Sequence, residues 1–176
     1  QRHHGANPYL LAEHPYAGYN YRMTDIQASI GVTQMERAGD IISERQELAK
    51  NYNDALKELD FFQLPYENTN YEHGYQSYPC MFDIKNASLN KIKTVNEKRN
   101  MFMDALQKKG VSTRPATHAV HMLQYYREKY EVIPEDFPNA YIANECSISF
   151  PLFNGLTDEE QCFVIKSMKE GYLNGY

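Results

Sequence analysis

The chain has 176 residues, 42% of them hydrophobic and 23% charged, which is long enough to bury one core and ordinary for a soluble domain. It contains no run of ~18 apolar residues for a membrane span and no leader of the secretory type, so no membrane partner and a cytoplasmic location are expected. A net charge of −5 without a Lys/Arg cluster argues against nucleic acid as the main partner.

Residues 1–21 mix Gly, Pro, Asn, His and Tyr without a clean period and read as an irregular arm. In the segment Gly18 to Gly31, GYNYRMTDIQASIG, residues Thr24 to Gln27 have the form of a capping box. Thr24 can accept from the Gln27 N–H while the Gln27 side chain returns to the Thr24 N–H, so a helix is predicted from Asp25. Just upstream, Asn20 offers an amide donor and Arg22 a charged planar fork, both suited to phosphate oxygens near the positive end of a helix. Equally, Tyr19 to Arg22 reads as a plain turn, since Asn and Tyr are common in loops and Arg usually snorkels.

From Asp25 to about Leu59, apolar or small residues recur at Ala28, Val32, Met35, Ile42, Ala49, Tyr52, Leu56 and Leu59, in steps that keep one helical face. Such a helix would run roughly 50 Å, longer than a small domain needs for itself, and so reads as a bridge between domains. Gly39 is the expected place for a bend or break. Phe61–Leu64 and Tyr75–Ile84 read as strands joined by a polar loop. In the second, Gln76, Tyr78, Cys80, Phe82 and Ile84 share the face turned to the core, and Pro79 suggests an edge or a bulge.

A second capping box at Thr94–Glu97 predicts a helix over Val95–Lys109, ended by Gly110, and Val111–Arg114 reads as a short strand. Helical turns are expected over Tyr125–Tyr130 and Asn139–Glu145, then a strand over Cys146–Phe150. A third box, Thr157–Glu160, opens a last helix to about Glu170, with Gly171 placed to stop it. This order predicts an α+β fold, an antiparallel sheet with helices on one face. Cys80, Cys146 and Cys162 are odd in number and far apart, without the paired spacing of zinc or a redox dithiol, so reduced and mostly buried thiols are expected. The 15 tyrosines suit interfaces and sugar sites as well as ordinary packing.

The Gly18–Gly31 segment resembles the signature of the DegT/DnrJ/EryC1/StrS family, the pyridoxal-phosphate-dependent sugar aminotransferases. Two further segments match that family in order, GVSTRPATHAVH at Gly110–His121 and SFPLFNGLTDEEQ at Ser149–Gln161, and Arg2, His3, His4 and Gly5 resemble its preceding short element. The resemblance implies the small C-terminal domain of an aspartate-aminotransferase-like architecture (fold type I). It divides the chain into an interface arm with a phosphate-contact segment (1–23), a long connecting helix (24–59) and a small α+β domain (60–176). It also implies that the family's large domain, with the Schiff-base lysine, lies before Gln1. No lysine here has the family's Ser-containing, Gly-flanked context, and Lys50, Lys57 and Lys91 read as solvated charges, so no catalytic residue is expected and the chain alone should be inactive.

What the resemblance implies chemically is transfer of an amino group, from glutamate, to a keto carbon of a nucleotide-linked sugar, in a homodimer whose shared sites hold pyridoxal phosphate. Such products feed polysaccharide or aminosugar synthesis. Asn20 and Arg22 would approach the cofactor phosphate from the neighbouring subunit. Arg114, His118 and His121 would face the nucleotide sugar, where Arg and His can meet pyrophosphate or hydroxyls. Small residues at Ala116 and Thr117, where many members carry an aromatic or His, leave more room there. His118 and His121 are spaced as a helical metal pair, but no third ligand has helpful spacing, so no metal is expected. A sugar dehydratase of the same family and a free-standing non-catalytic interaction domain are the rival readings.

Overall fold

The computed structural model describes Tyr19 and residues 21–173, with side chains omitted for Tyr172 and Leu173. Asn20 and the arm expected over residues 1–18 lie outside the described residues. The chain divides into two units, residues 1–40 and 41–176.

In the first unit, α1 spans Asp25–Glu36 and begins as the capping box requires. Gln27 N donates to Thr24 Oγ1 (3.3 Å), and Thr24 N donates to Gln27 Oε1 (3.0 Å). α1 buries none of its residues and exposes Ile26, Ile30, Val32 and Met35. The helical run predicted from Asp25 is interrupted at Arg37, two residues before Gly39, and resumes as α2, Ala38–Leu56.

In the second unit, α2 buries Leu48, Ala49, Tyr52 and Leu56, a stripe at helical spacing. Three antiparallel strands follow in the order β1 (Phe62–Gln63), β2 (Tyr78–Phe82), β3 (Ser147–Phe150). The β2–β3 register pairs Tyr78 with Phe150 and Cys80 with Ile148, so the buried apolar side chains of both strands share one face. α3 (Ile92–Lys108), α5 (Pro138–Cys146) and α6 (Asp158–Leu173) complete the layer around that core, while α4 (Gln124–Tyr130) buries no residue. Phe62 meets Phe82, Phe102 and Phe150 edge-on, with centroids 5.9, 5.7 and 5.3 Å away, which locks the sheet to α3.

Pro79 sits on the central strand, not at an edge. β1 pairs only with Phe82 and Met81, so at Pro79 the strand has a ladder partner on the β3 side alone, and the missing N–H is tolerated. The Thr94–Glu97 box does not form: α3 starts at Ile92 with Lys91 as N-cap, because the buried Ile92 draws the first turn into the core. Val111–Arg114 is not a strand. It makes one bridge, Arg114 to Ser149, and Pro115 has no N–H to extend it.

Gly110 closes α3 with φ +84: Val111 N donates to Leu106 O (3.0 Å) and Gly110 N to Gln107 O (2.9 Å), a Schellman arrangement. Gly171 does not stop α6, which runs through it to Leu173. Instead it lets the helix approach the ring of Phe102.

α2 is clasped to the stretch between β3 and α6. Arg45 Nε donates to Asn154 Oδ1 (2.8 Å), Asn154 Nδ2 donates to Ile41 O (3.0 Å) and Glu44 Oε2 (2.7 Å), and Tyr52 OH donates to Pro151 O (2.8 Å). Arg45 Nη1 also donates to the carbonyls of Tyr75 and Gln76, both at 3.0 Å, which holds Tyr75 at φ +43, a left-handed conformation rare outside glycine.

Candidate functional site

Arg22 is exposed on the stretch directly ahead of α1, two residues before the N-cap Thr24, whose φ of −74° and ψ of 159° make the approach to the helix extended. Nearby, the rings of Tyr19 and Tyr21 stack with centroids 5.7 Å apart. Of the residues predicted to meet a cofactor phosphate, Arg22 is thus a surface cation at a capped helix start, a fitting donor for an anion, whereas Asn20 lies outside the described residues. Lys50, Lys57 and Lys91 are exposed.

Arg114, His118 and His121 lie on one irregular segment that leaves the edge of β3. Arg114 and Ser149 exchange backbone hydrogen bonds, N to O at 3.3 Å in one direction and 2.7 Å in the other. The Arg114 side chain is exposed and lines an open groove of about 870 Å³ with Ser112, Phe150, Leu152, Phe153 and Phe163. Glu159 and Glu160 line the same groove, so the guanidinium offers an anion a donor beside an apolar surface that two carboxylates share. His118 is exposed. His121 is half-buried in a short 3-10 turn, Val120–Met122, with its ring 5.0 Å from that of Phe137; its Nε2 is buried without a hydrogen-bond partner. His121 therefore sits inward while Arg114 and His118 face outward.

The course of this segment is set by polar groups that no sequence pattern singled out. Ser147 Oγ accepts from the backbone N–H of Ala116 and of Thr117, each at 3.2 Å, and Asn144 Oδ1 accepts from Ala119 N at 3.0 Å. Behind them, the buried Arg99 donates through Nη1 to the carbonyls of Asn144 (3.0 Å) and Ser147 (3.1 Å). Burial lowers the Arg99 pKa from its ordinary value, opposed by the charge of Glu145. The only signal available for these residues was their polarity within stretches otherwise headed for the core.

Elsewhere, burial pushes the Tyr75 phenol up to about 12, with Glu67, its hydrogen-bond partner, adding to the shift. Cys80 and Cys146 are buried and Cys162 is exposed, all three as free thiols. Among the described residues, no three His, Cys, Asp or Glu side chains gather as a metal ion requires, and no helix is long and apolar enough to cross a membrane.

The profile of the DegT/DnrJ/EryC1/StrS aminotransferase family matches residues 2–169. The chain belongs to that family. It is 31% identical over 153 residues to the uncharacterised protein MJ1066 of Methanocaldococcus jannaschii, covering 87% of this chain and 38% of that protein. It is 32% identical over 162 residues to the GDP-perosamine synthase of Escherichia coli O157:H7, covering 90% of this chain and 39% of the synthase. Its fold matches the PLP form of the sugar aminotransferase Spr1654 from Streptococcus pneumoniae with a TM-score of 0.77 at 24% identity, over 98% of this chain and 42% of that one. The DegT-family chain thus spans about two fifths of the length of the curated relatives it matches, and its helices and small antiparallel sheet match the fold of fold type I sugar aminotransferases.

Proposed function

We propose that this chain is the C-terminal portion of a pyridoxal-phosphate-dependent enzyme that moves an amino group from glutamate onto a keto carbon of a nucleotide-linked sugar. The observation that carries the reading is the family match over residues 2–169, joined by 32% identity to a GDP-perosamine synthase. When bound, the cofactor supplies an electron sink for the amine's carbon. In this reading Asn20 and Arg22 contact its phosphate across a homodimer interface, and Arg114, His118 and His121 face the sugar nucleotide. The connecting segment is residues 24–59, its helix broken at Arg37 and ending at Leu56, and the small domain is residues 60–176. The catalytic lysine is supplied by the rest of the protein, so the 176-residue chain alone is inactive, and the enzyme works in the cytoplasm.

The test uses the full-length protein with pyridoxal phosphate, glutamate and a panel of GDP-, UDP- and dTDP-linked keto-sugars, following 2-oxoglutarate release and product mass. An aminated sugar with stoichiometric 2-oxoglutarate is the expected result. A keto-sugar product that has lost a hydroxyl oxygen and retained no nitrogen would make the protein a sugar dehydratase, and no reaction with any sugar would leave a non-catalytic module. Independently of turnover, Arg22→Ala should weaken cofactor retention in equilibrium dialysis by about tenfold, the loss of one charge-assisted phosphate contact.

A further inference from the structure

The segment carrying Arg114, His118 and His121 has little regular structure of its own, yet its backbone is pinned at four places within six residues. Arg114 is tied in both directions to Ser149, Ala116 N and Thr117 N donate to Ser147 Oγ, and Ala119 N donates to Asn144 Oδ1. The pins at 117 and 119 flank His118. Ser147 is 1% exposed and Ala119 is 2% exposed, so each of these bonds has one buried partner and is partly shielded from water, where an unpaired group is penalised. The two acceptors are themselves fixed. Arg99 holds the carbonyls of Asn144 and Ser147, and the Asn144 amide donates to Glu145 Oε1 at 2.7 Å.

We propose that Asn144 and Ser147 are positioning residues for substrate: their two acceptor oxygens hold the Arg114–His121 segment in its binding shape. This rests on the sugar-aminotransferase reading above. Neither side chain needs to touch substrate. Each removes freedom from a segment that would otherwise be ordered only on binding, and a segment that spends part of its time out of shape weakens apparent affinity in proportion. Ser147 holds the turn after Pro115, while Asn144 holds the far side of His118.

The experiment is steady-state kinetics on the full-length enzyme, with the keto-sugar from the panel that the wild type turns over best. Ser147→Ala and Asn144→Ala should each raise the sugar KM about three- to tenfold with kcat within about twofold. Hydrogen exchange at residues 116–119 should quicken in both alanine variants. Ser147→Ala removes a single oxygen, so it reports even if Asn144→Ala folds poorly. An unmoved KM in Ser147→Ala despite quickened exchange would overturn the inference. A wild type without transaminase activity overturns the functional reading itself, an outcome plainly different from a normal wild type with indifferent variants.

Discussion

Gly171 of α6 lies against the ring of Phe102 of α3, so close that a Cβ built on the glycine would stand 2.8 Å from the ring's Cε2 atom. Phe102 is fully buried among other phenyl rings and has no room to retreat. Gly171→Ala is therefore predicted to destabilise the protein by about 1–3 kcal/mol, because overpacking outweighs the ~1 kcal/mol that alanine gains in a helix. Gly39 of α2 has nothing within 4 Å of the same construction, and there Gly39→Ala should stabilise, by up to ~1 kcal/mol. Denaturant midpoints that move the same way for both variants would refute the packing argument.

Arg99 supports two elements with one side chain. Arg99→Met fills similar volume but leaves the Asn144 and Ser147 carbonyls without their donor, and a loss of about 2–4 kcal/mol in chemical unfolding is expected. Arg99→Lys should recover only part of this, since an ammonium cannot reproduce the fork that also reaches Asn100 Oδ1. Equal stability of the methionine variant and wild type would show that the carbonyls find other partners.

Alkaline pH should loosen the fold. Burial raises the Cys146 thiol from 9.0 to about 11 and the Tyr75 phenol from 10.0 to about 12. Each group is held in its neutral form when folded, so its contribution is whole below its unfolded value and drains as pH climbs to its folded one. The urea midpoint should be insensitive to these groups up to about pH 8 and fall between about pH 9 and 12. Cys146→Ala should flatten part of the slope between about 9 and 11, and an identical slope in that variant would remove the thiol from the account.

Thiol chemistry offers a simple readout of burial. With a soluble aromatic disulfide reagent, the folded protein should release one equivalent from this chain, from Cys162, while Cys80 and Cys146 react only on unfolding. Cys162→Ser should abolish the fast phase. A fast phase persisting in that variant would mean that Cys80 or Cys146 is reached without global unfolding.

Sequence patterns proved most reliable where the interactions are local. The boxes at Thr24 and Thr157 form because all their partners lie three residues apart, with Glu160 N donating to Thr157 Oγ1 at 3.2 Å and Thr157 N donating to Glu160 Oε2 at 2.9 Å. The equivalent pattern at Thr94 loses to the burial of Ile92, a tertiary demand that no four-residue motif registers. Pro79 was readable as a strand proline, but its place beside a two-residue β1 was not. At the candidate site, Arg114 stood out through its motif. Ser147, Asn144 and Arg99 did not, since their partners lie 25 to 48 residues away and nothing in the neighbouring sequence marks those pairings.

The clasp between α2 and the stretch following β3 also bears on when the domain can form. Tyr52 to Pro151, Arg45 to Asn154 and Gln161 Nε2 to Leu48 O close loops of 99, 109 and 113 residues. Closing such loops is entropically slow, and the two sides of each closure are synthesised far apart in time. Until Gln161 has left the exit tunnel, the Leu48 carbonyl of the buried α2 stripe lacks its side-chain donor. The buried stripe of α2 must therefore wait for α6, made about a hundred residues later, before these contacts can settle.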